Sequence, residues 1–334
     1  MLTLTSAMLA PPVNWTDAGR ERRIGVEIEF CGLSVPQAAQ LIAGLFGGSI
    51  ETLEPHRAMV RCSRWGDFVI ELDSAYAHPD TWRSATDVPA RLRAVVEQLA
   101  TAVGRTVGDV ASLWMPIEIV GPPVPLATLV ELEQIIVALR DTGAEGTDQG
   151  WLFAFGTQLN IELPATNAAT ILGYLKAYVL LSPWLRQTVA PDRMRQLLPF
   201  IDPFPDDYIA RVIDPTYAPA LPELARDYLA ANPTRNRELD LLPLLAHTGQ
   251  TVPDLGGKAV KARPALHYRL PDTRLSDPAW GLIAEWNRWV EVERLAHDPA
   301  ALARLAAASR MPDGELADQK TRLDAIEAWR DRFA

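Results

Sequence analysis

The stretch Arg23–Phe30, Arg-Ile-Gly-Val-Glu-Ile-Glu-Phe, constrains the fold more than any other. Read as a strand, it turns Ile24, Val26, Ile28 and Phe30 to one side and Gly25, Glu27, Glu29 and then Cys31 to the other. A row of branched and aromatic side chains has to be covered, so the strand belongs to a sheet with at least one buried face. The opposite row carries two carboxylates about 7 Å apart, from a rise of roughly 3.3 Å per residue. Like charges at that range repel unless a cation or a proton lies between them. Two readings stand open: a divalent metal site, or the solvated outer face of an antiparallel sheet.

Other segments repeat the pattern. A hairpin is expected over 58–62 and 67–73, with Phe68, Ile70 and Leu72 opposite Val69, Glu71 and Asp73. A short strand over 114–120 carries Glu118 and stops at Gly121-Pro122-Pro123. In 151–163 one face holds Phe155, Thr157, Leu159, Ile161 and Leu163; the other holds Gly156, Gln158, Asn160 and Glu162. The last strand, 263–270, sets Leu266, Tyr268 and Leu270 against Arg263, Ala265, His267 and Arg269. Helices are expected over 34–48, where Ser34 and Gln37 have capping-box spacing, and over 87–103, 126–142, 166–186, 221–231, 237–247 and in the last sixty or so residues. Prolines keep 191–222 irregular, as a lid or a wall.

These elements add up to an α+β fold, an antiparallel sheet of about six strands with helices on its apolar side. Its polar side would gather acids from three strands, which bind hard cations through oxygen, and basic groups from the last strand, which hold phosphate oxygens. That inventory is the one phosphoryl transfer requires. Residues 1–22 read as a loosely held arm.

A net charge of -10 with thinly spread Lys and Arg argues against a nucleic-acid-binding surface. Cys31 and Cys62 suit thiols in a reducing compartment. Residues 1–12 lack the charged and apolar regions of a secretion signal, and the apolar run 171–185, broken by Lys176 and Pro183, is too short to span a bilayer. A cytoplasmic location without membrane contact is therefore expected. Lys258 and Lys261 beside Gly256-Gly257 are candidates to touch phosphate, although the P-loop spacing is missing. Trp280, Trp286 and Trp289 fall at helical spacing and are expected to pack.

Taken in order, the motifs at 23–30, 71–74 (Glu-Leu-Asp-Ser), 117–123 (Ile-Glu-Ile-Val-Gly-Pro-Pro), 155–162 (Phe-Gly-Thr-Gln-Leu-Asn-Ile-Glu) and 266–270 (Leu-His-Tyr-Arg-Leu) resemble those of the putative amidoligase family. That family belongs to the carboxylate-amine ligase superfamily of glutamine synthetase and gamma-glutamylcysteine ligase. The resemblance covers about 23–295, which it implies to be the catalytic domain, and leaves 296–334 as a helical extension. It implies a sheet curved into a half-funnel, with ATP and Mg²⁺ in its mouth and helices on the convex face. By this analogy Glu27 and Glu29 form the first metal-binding pair, and Asp73 and Glu118 are further ligands, with Glu71 beside them. Arg235 or Arg237, Arg263 and Arg269 resemble the arginines that bind phosphate or the substrate carboxylate. Two departures stand out. Gln158 and Asn160, candidates for nucleotide contact, replace a His-x-His or His-x-Asn pattern, and His267-Tyr268-Arg269 replaces Glu-Phe-Arg. One metal position is then weakened or rebuilt, with His267 or Glu162 as ligand.

The leading expectation is an ATP- and Mg²⁺-dependent ligase that joins a small-molecule or peptide carboxylate to an amine through an acyl phosphate. A degenerate member that binds nucleotide or peptide without turnover is the second. A hydrolase using two of the carboxylates as acid and base is the third, and it has no need of Arg263 and Arg269 on the same surface.

Overall fold

The computed structural model describes residues 7–72, 116–147, 155–192, 201–255 and 259–332. β1 (Arg23–Phe30) forms as its alternation requires, with all four apolar side chains wholly buried. α1 (Val35–Phe46) starts at a reciprocal capping box between Ser34 and Gln37. It ends at Gly47, whose φ of 74° suits glycine. Gly48 then turns the chain so tightly that a Cβ there would lie 2.5 Å from the Arg61 carbonyl oxygen.

The chain continues through β2 (Ser49–Glu54), β3 (Arg57–Ser63), β4 (Gly66–Leu72), β5 (Ile117–Val120) and β6 (Val124–Pro125) to α2 (Leu129–Asp141). After β7 (Thr157–Glu162) come α3 (Ala168–Val189), α4 (Asp206–Val212), α5 (Leu221–Ala231), β8 (Leu239–Asp240) and α6 (Leu242–His247). β9 (Ala265–Tyr268), α7 (Leu282–Ala296), α8 (Pro299–Ala308) and α9 (Gln319–Arg330) complete it. One open antiparallel sheet runs β2-β3-β4-β5-β1-β7-β9-β8, with β6 joined to the start of β1. The strand that opened the sequence reading lies inside this order, between β5 and β7.

The α+β class and the antiparallel pairing are as expected, but among the described residues the sheet has nine strands rather than about six. The additions are the edge strand β2 and two pairings of only two residues, β6 and β8, too short to leave a periodic signal. The stretch 237–247 was expected to be one helix; it is a strand and then a one-and-a-half-turn helix, because Leu239 and Asp240 pair with β9. The last strand, expected over 263–270, runs only from Ala265 to Tyr268. The helix expected over 87–103 lies outside the described residues, as do Asp73 and Lys258.

The described part of the arm, residues 7–22, is held in place rather than loose. Trp286 Nε1 donates to the Leu9 carbonyl at 2.9 Å, and the Asn287 amide bonds both Leu9 N–H and the Ala7 carbonyl. Arg22 fastens the arm to α7 and β7 through Glu293 and the Val13 and Glu162 carbonyls. Nor is 201–222 an open lid, since Ile201, Phe204, Tyr208 and Val212 are buried with Tyr178 and Tyr228. α3, at 22 residues, is long and apolar enough to cross a membrane; most of it is buried inside the protein, so it is a core helix. Trp280, Trp286 and Trp289 pack as expected, and Cys31 and Cys62 are unpaired, one buried and one exposed.

Candidate active site

Register decides which polar groups meet. Glu71 on β4 is directly opposite Glu118 on β5, which is opposite Glu29 on β1, so three carboxylates share one cross-strand row. Residues so paired have Cβ atoms about 5 Å apart, and like charges there are unfavourable unless compensated. Arg57 compensates Glu71 at 2.8 Å. Glu29 accepts from the Gly156 N–H and the Gln158 amide, both at 2.7 Å.

Glu27 faces Gln158, and one step along, Gly25, Asn160, His267 and Asp240 form a row across β1, β7, β9 and β8. Gly25 makes room for it: a Cβ at that position would already touch Asn160 Cβ at 3.4 Å. The Asn160 Nδ2 donates to Glu27 Oε1 at 2.9 Å, and its Oδ1 lies 2.7 Å from His267 Nδ1. Because Oδ1 can only accept, Nδ1 carries the proton and His267 is the Nδ1–H tautomer. Arg263 reaches in beside β9 and meets Glu27 Oε1 at 3.2 Å and Asn160 Oδ1 at 3.4 Å.

The part of the face on β1, β7 and β9 is not solvated, while Glu71, Glu118 and Arg263 are half-buried. Glu27 and Glu29 are each 9% exposed, and Gln158, Asn160 and His267 are buried as well. Burial opposes ionisation of Glu27, yet Arg263, the Asn160 amide and His267 when charged outweigh it and hold the carboxyl below the usual range. Burial drives His267 the other way, down to about 3, with Arg269, Arg235 and Arg263 adding to it against the pull of Glu27. His267 is thus a neutral imidazole near pH 7.

The structure brings together Glu27, Glu29, Glu71, Glu118, Gln158, Asn160, Arg263 and His267 on one face. Arg235 and Arg269 border it: Arg235 Nε is 3.3 Å from Asp240, and Arg269 donates to the Arg235 carbonyl at 2.6 Å. Glu162 is at the far end of β7, engaged by Arg20 at 2.8 Å and by the Arg23 N–H at 2.9 Å. Arg237 is turned to the Pro203 and Ala231 carbonyls and the Asn232 side chain. Lys261 is exposed in the loop before β9. Asp240, wholly buried beside Arg235 and opposite His267, escaped the sequence reading. Its signal was the polar-apolar alternation of Glu238-Leu239-Asp240-Leu241, masked by the leucine run and Pro243 that follow. A separate open cleft of about 520 Å³, lined by Trp15, Asp17, Thr170, Tyr174 and His297 among others, contains none of the expected site residues.

The model of the family described as "putative amidoligase enzyme" matches residues 20–291, from the end of the arm through most of α7. The chain belongs to this family. No curated protein and no solved structure matches it. Membership in the amidoligase family suggests a ligase. The polar face described above lies within the matched segment, on the strands that carry the family-like motifs.

Among the described residues no three of His, Cys, Asp and Glu converge closely enough to hold a metal ion as the side chains stand. The donor set nonetheless fits Mg²⁺ in its chemistry. Carboxylate oxygens are the hard ligands that ion takes, and the row of three like charges is one that a cation would compensate.

Proposed function

We propose that this protein is an ATP- and Mg²⁺-dependent ligase of the carboxylate-amine ligase superfamily, with a sheet of the glutamine synthetase kind. It joins a carboxylate to an amine through an acyl phosphate, giving an amide, peptide or isopeptide-like bond. The observation that carries this reading is the meeting of acids and arginines on one sheet face. Acids stand on β4, β5 and β1, with Arg57 of β3 at the outer end of their row; guanidinium groups stand beside β9 and β8, with Asp240 among them; and the two sets touch at Glu27 and Arg263.

A free carboxylate is a poor acyl donor, and phosphorylation makes it a good one. Arg263 is suited to the charge of that step. It holds Glu27 by a 3.2 Å contact, and its side chain is 38% exposed, so an anionic oxygen can compete for it. Arg235 and Arg269 add positive potential on the same side. Glu27, Glu29 and Glu118 would hold Mg²⁺, which supplies counter-charge to phosphate oxygens. Gln158 and Asn160 keep Glu29 and Glu27 oriented through their amides.

A second reading has a specific observation in its favour. The same amides occupy oxygens of both carboxylates, as would suit a member that binds nucleotide without turnover. An ADP-release screen with Mg²⁺ over amino acids, polyamines and short peptides separates the two. Turnover that needs both a carboxylate and an amine, and that falls in Glu27→Ala and Arg263→Ala, supports the ligase. ATP binding with no ADP release for any pair supports the second reading. Turnover unchanged in both variants removes the site.

A further inference from the structure

We infer that Asp240 is a positioning residue of this site, holding Arg235 by one nitrogen so that the outer edge of its guanidinium is presented to an oxyanion of a substrate. The inference rests on the ligase reading and gives a task to a carboxylate that reading leaves unused.

Asp240 is wholly buried, in the two-residue strand β8 and opposite His267. Its Oδ1 accepts from the Leu242 N–H at 2.9 Å, which fixes the carboxylate against the start of α6. Its Oδ2 lies 3.3 Å from Arg235 Nε. The main chain of Arg235 is held as well, because Arg269 donates to its carbonyl at 2.6 Å. The terminal nitrogens of Arg235, Nη1 and Nη2, meet no hydrogen-bond partner among the described residues, and neither is sealed from solvent. The side chain is 33% exposed.

Burying a carboxylate is costly, and one ion pair with a partly exposed arginine stabilises the fold little. What the pair does supply is direction. An unanchored arginine samples many rotamers, whereas one tied at Nε has its plane and its outer edge fixed before a ligand arrives. That edge carries parallel N–H groups whose spacing matches two oxygens of a phosphate or a carboxylate. With charged donors and no acceptor, it selects an oxyanion and rejects an amine. Arg237, two positions on, shows the contrast: its nitrogens are taken up by the Pro203 and Ala231 carbonyls and by Asn232. Two reactants of the proposed ligase carry an oxyanion, the nucleotide and the carboxylate.

The full chain is titrated with inorganic tripolyphosphate in Mg²⁺, as a probe of the nucleotide tail, and the KM for a carboxylate that supports ADP release is measured beside it. Asp240→Asn keeps an acceptor for the Leu242 N–H and sets an amide against Arg235 Nε. If the oxyanion is phosphate, Asp240→Asn is expected to weaken tripolyphosphate binding about tenfold and Arg235→Ala at least as much. The double variant is expected to lose no more than Arg235→Ala, since Asp240 then has nothing to position. The same non-additive pattern in the KM for the carboxylate, with tripolyphosphate binding unchanged, assigns the edge to the carboxylate. Arg235→Lys, which keeps the charge and loses the paired donors, is expected to resemble Arg235→Ala. The KM for the amine should stay unchanged throughout, whereas a general loosening of the fold would move it. In ¹⁵N-labelled wild type, the Arg235 Nε–H is expected to exchange slowly with solvent. Exchange as fast as that of an exposed arginine overturns the anchoring without any change at Asp240. Additive losses in the double variant overturn the positioning role, and Arg235→Ala with both measurements unchanged overturns the oxyanion site. Tripolyphosphate binding that weakens as expected in a chain releasing no ADP with any pair defeats the ligase reading and leaves this site standing. Neither tripolyphosphate binding nor turnover in the wild type defeats both.

Discussion

Two ion pairs join an arginine to a glutamate far away in sequence, and they are built to opposite ends. Arg22 and Glu293 are both wholly buried and meet through two parallel bonds, at 2.6 and 2.8 Å. The guanidinium gives further bonds to the Val13 and Glu162 carbonyls, and the carboxylate also accepts from Trp289 Nε1 at 3.0 Å. Arg263 and Glu27 meet at a single 3.2 Å contact, with the arginine partly in water and the glutamate shared with Asn160. The first pair has most of its hydrogen-bonding capacity engaged and fastens the arm, β7 and α7 together. The second has capacity left to exchange partners. Matching residue types thus serve as a fastening or as a working group according to how many donors are already engaged.

The sharpest way to break this comparison is to remove one partner from each pair. Glu293→Ala leaves Arg22 buried without its counter-charge and is expected to cost about 3–5 kcal/mol in chemical denaturation. Arg263→Ala, at a partly exposed site, is expected to cost less than about 1 kcal/mol. Equal losses in the two variants would end the distinction. Activity should rank in the reverse sense. In the ADP-release assay Arg263→Ala is expected to lower turnover about a hundredfold, the usual worth of one donor to developing charge. A drop below threefold would make Arg263 a bystander.

Acid should probe the working site more than the fastening. Folded His267 titrates at about 3 against an ordinary 6.5, so between those values the unfolded chain binds the proton and the folded one does not. Stability is then lost as pH falls through that window, with a slope approaching about 1.4 kcal/mol per pH unit. The slope should shrink in His267→Gln, and denaturation curves taken across the window would show whether it does. The smallest effect is a reporter of local opening. Burial, with Glu145 nearby, pushes the Cys31 thiol up to about 12, whereas Cys62 is exposed. An alkylating reagent is therefore expected to take Cys62 alone in the native protein. Cys31 should become reactive in Glu293→Ala and stay silent in Arg263→Ala.

Much of the site was legible before any coordinates. Glu27, Glu29, Glu71 and Glu118 could be set on one face from period-two alternation alone, because that period belongs to the strand and not to its neighbours. Gln158, Asn160 and His267 followed by the same rule. Glu162 is engaged by Arg20, while Arg237, two residues before β8, is engaged by the Pro203 carbonyl, and no local pattern announces such partners. Asp240 was missed because the alternation around it is only four residues long and runs straight into a leucine-rich stretch with Pro243.

The amino-acid sequence by itself determined which side chains share a face of each strand, where α1 is capped, and that acids and arginines recur on the polar faces. Tertiary structure alone decided that Glu71, Glu118 and Glu29 fall in one row, that Arg263 reaches Glu27 across 236 positions, and that Glu27, Glu29, Gln158, Asn160 and His267 are buried rather than washed by solvent. The physical reason is range. Alternation and capping are settled within a few bonds of each residue, whereas register, partner choice and burial depend on contacts between segments that the chain brings together only on folding.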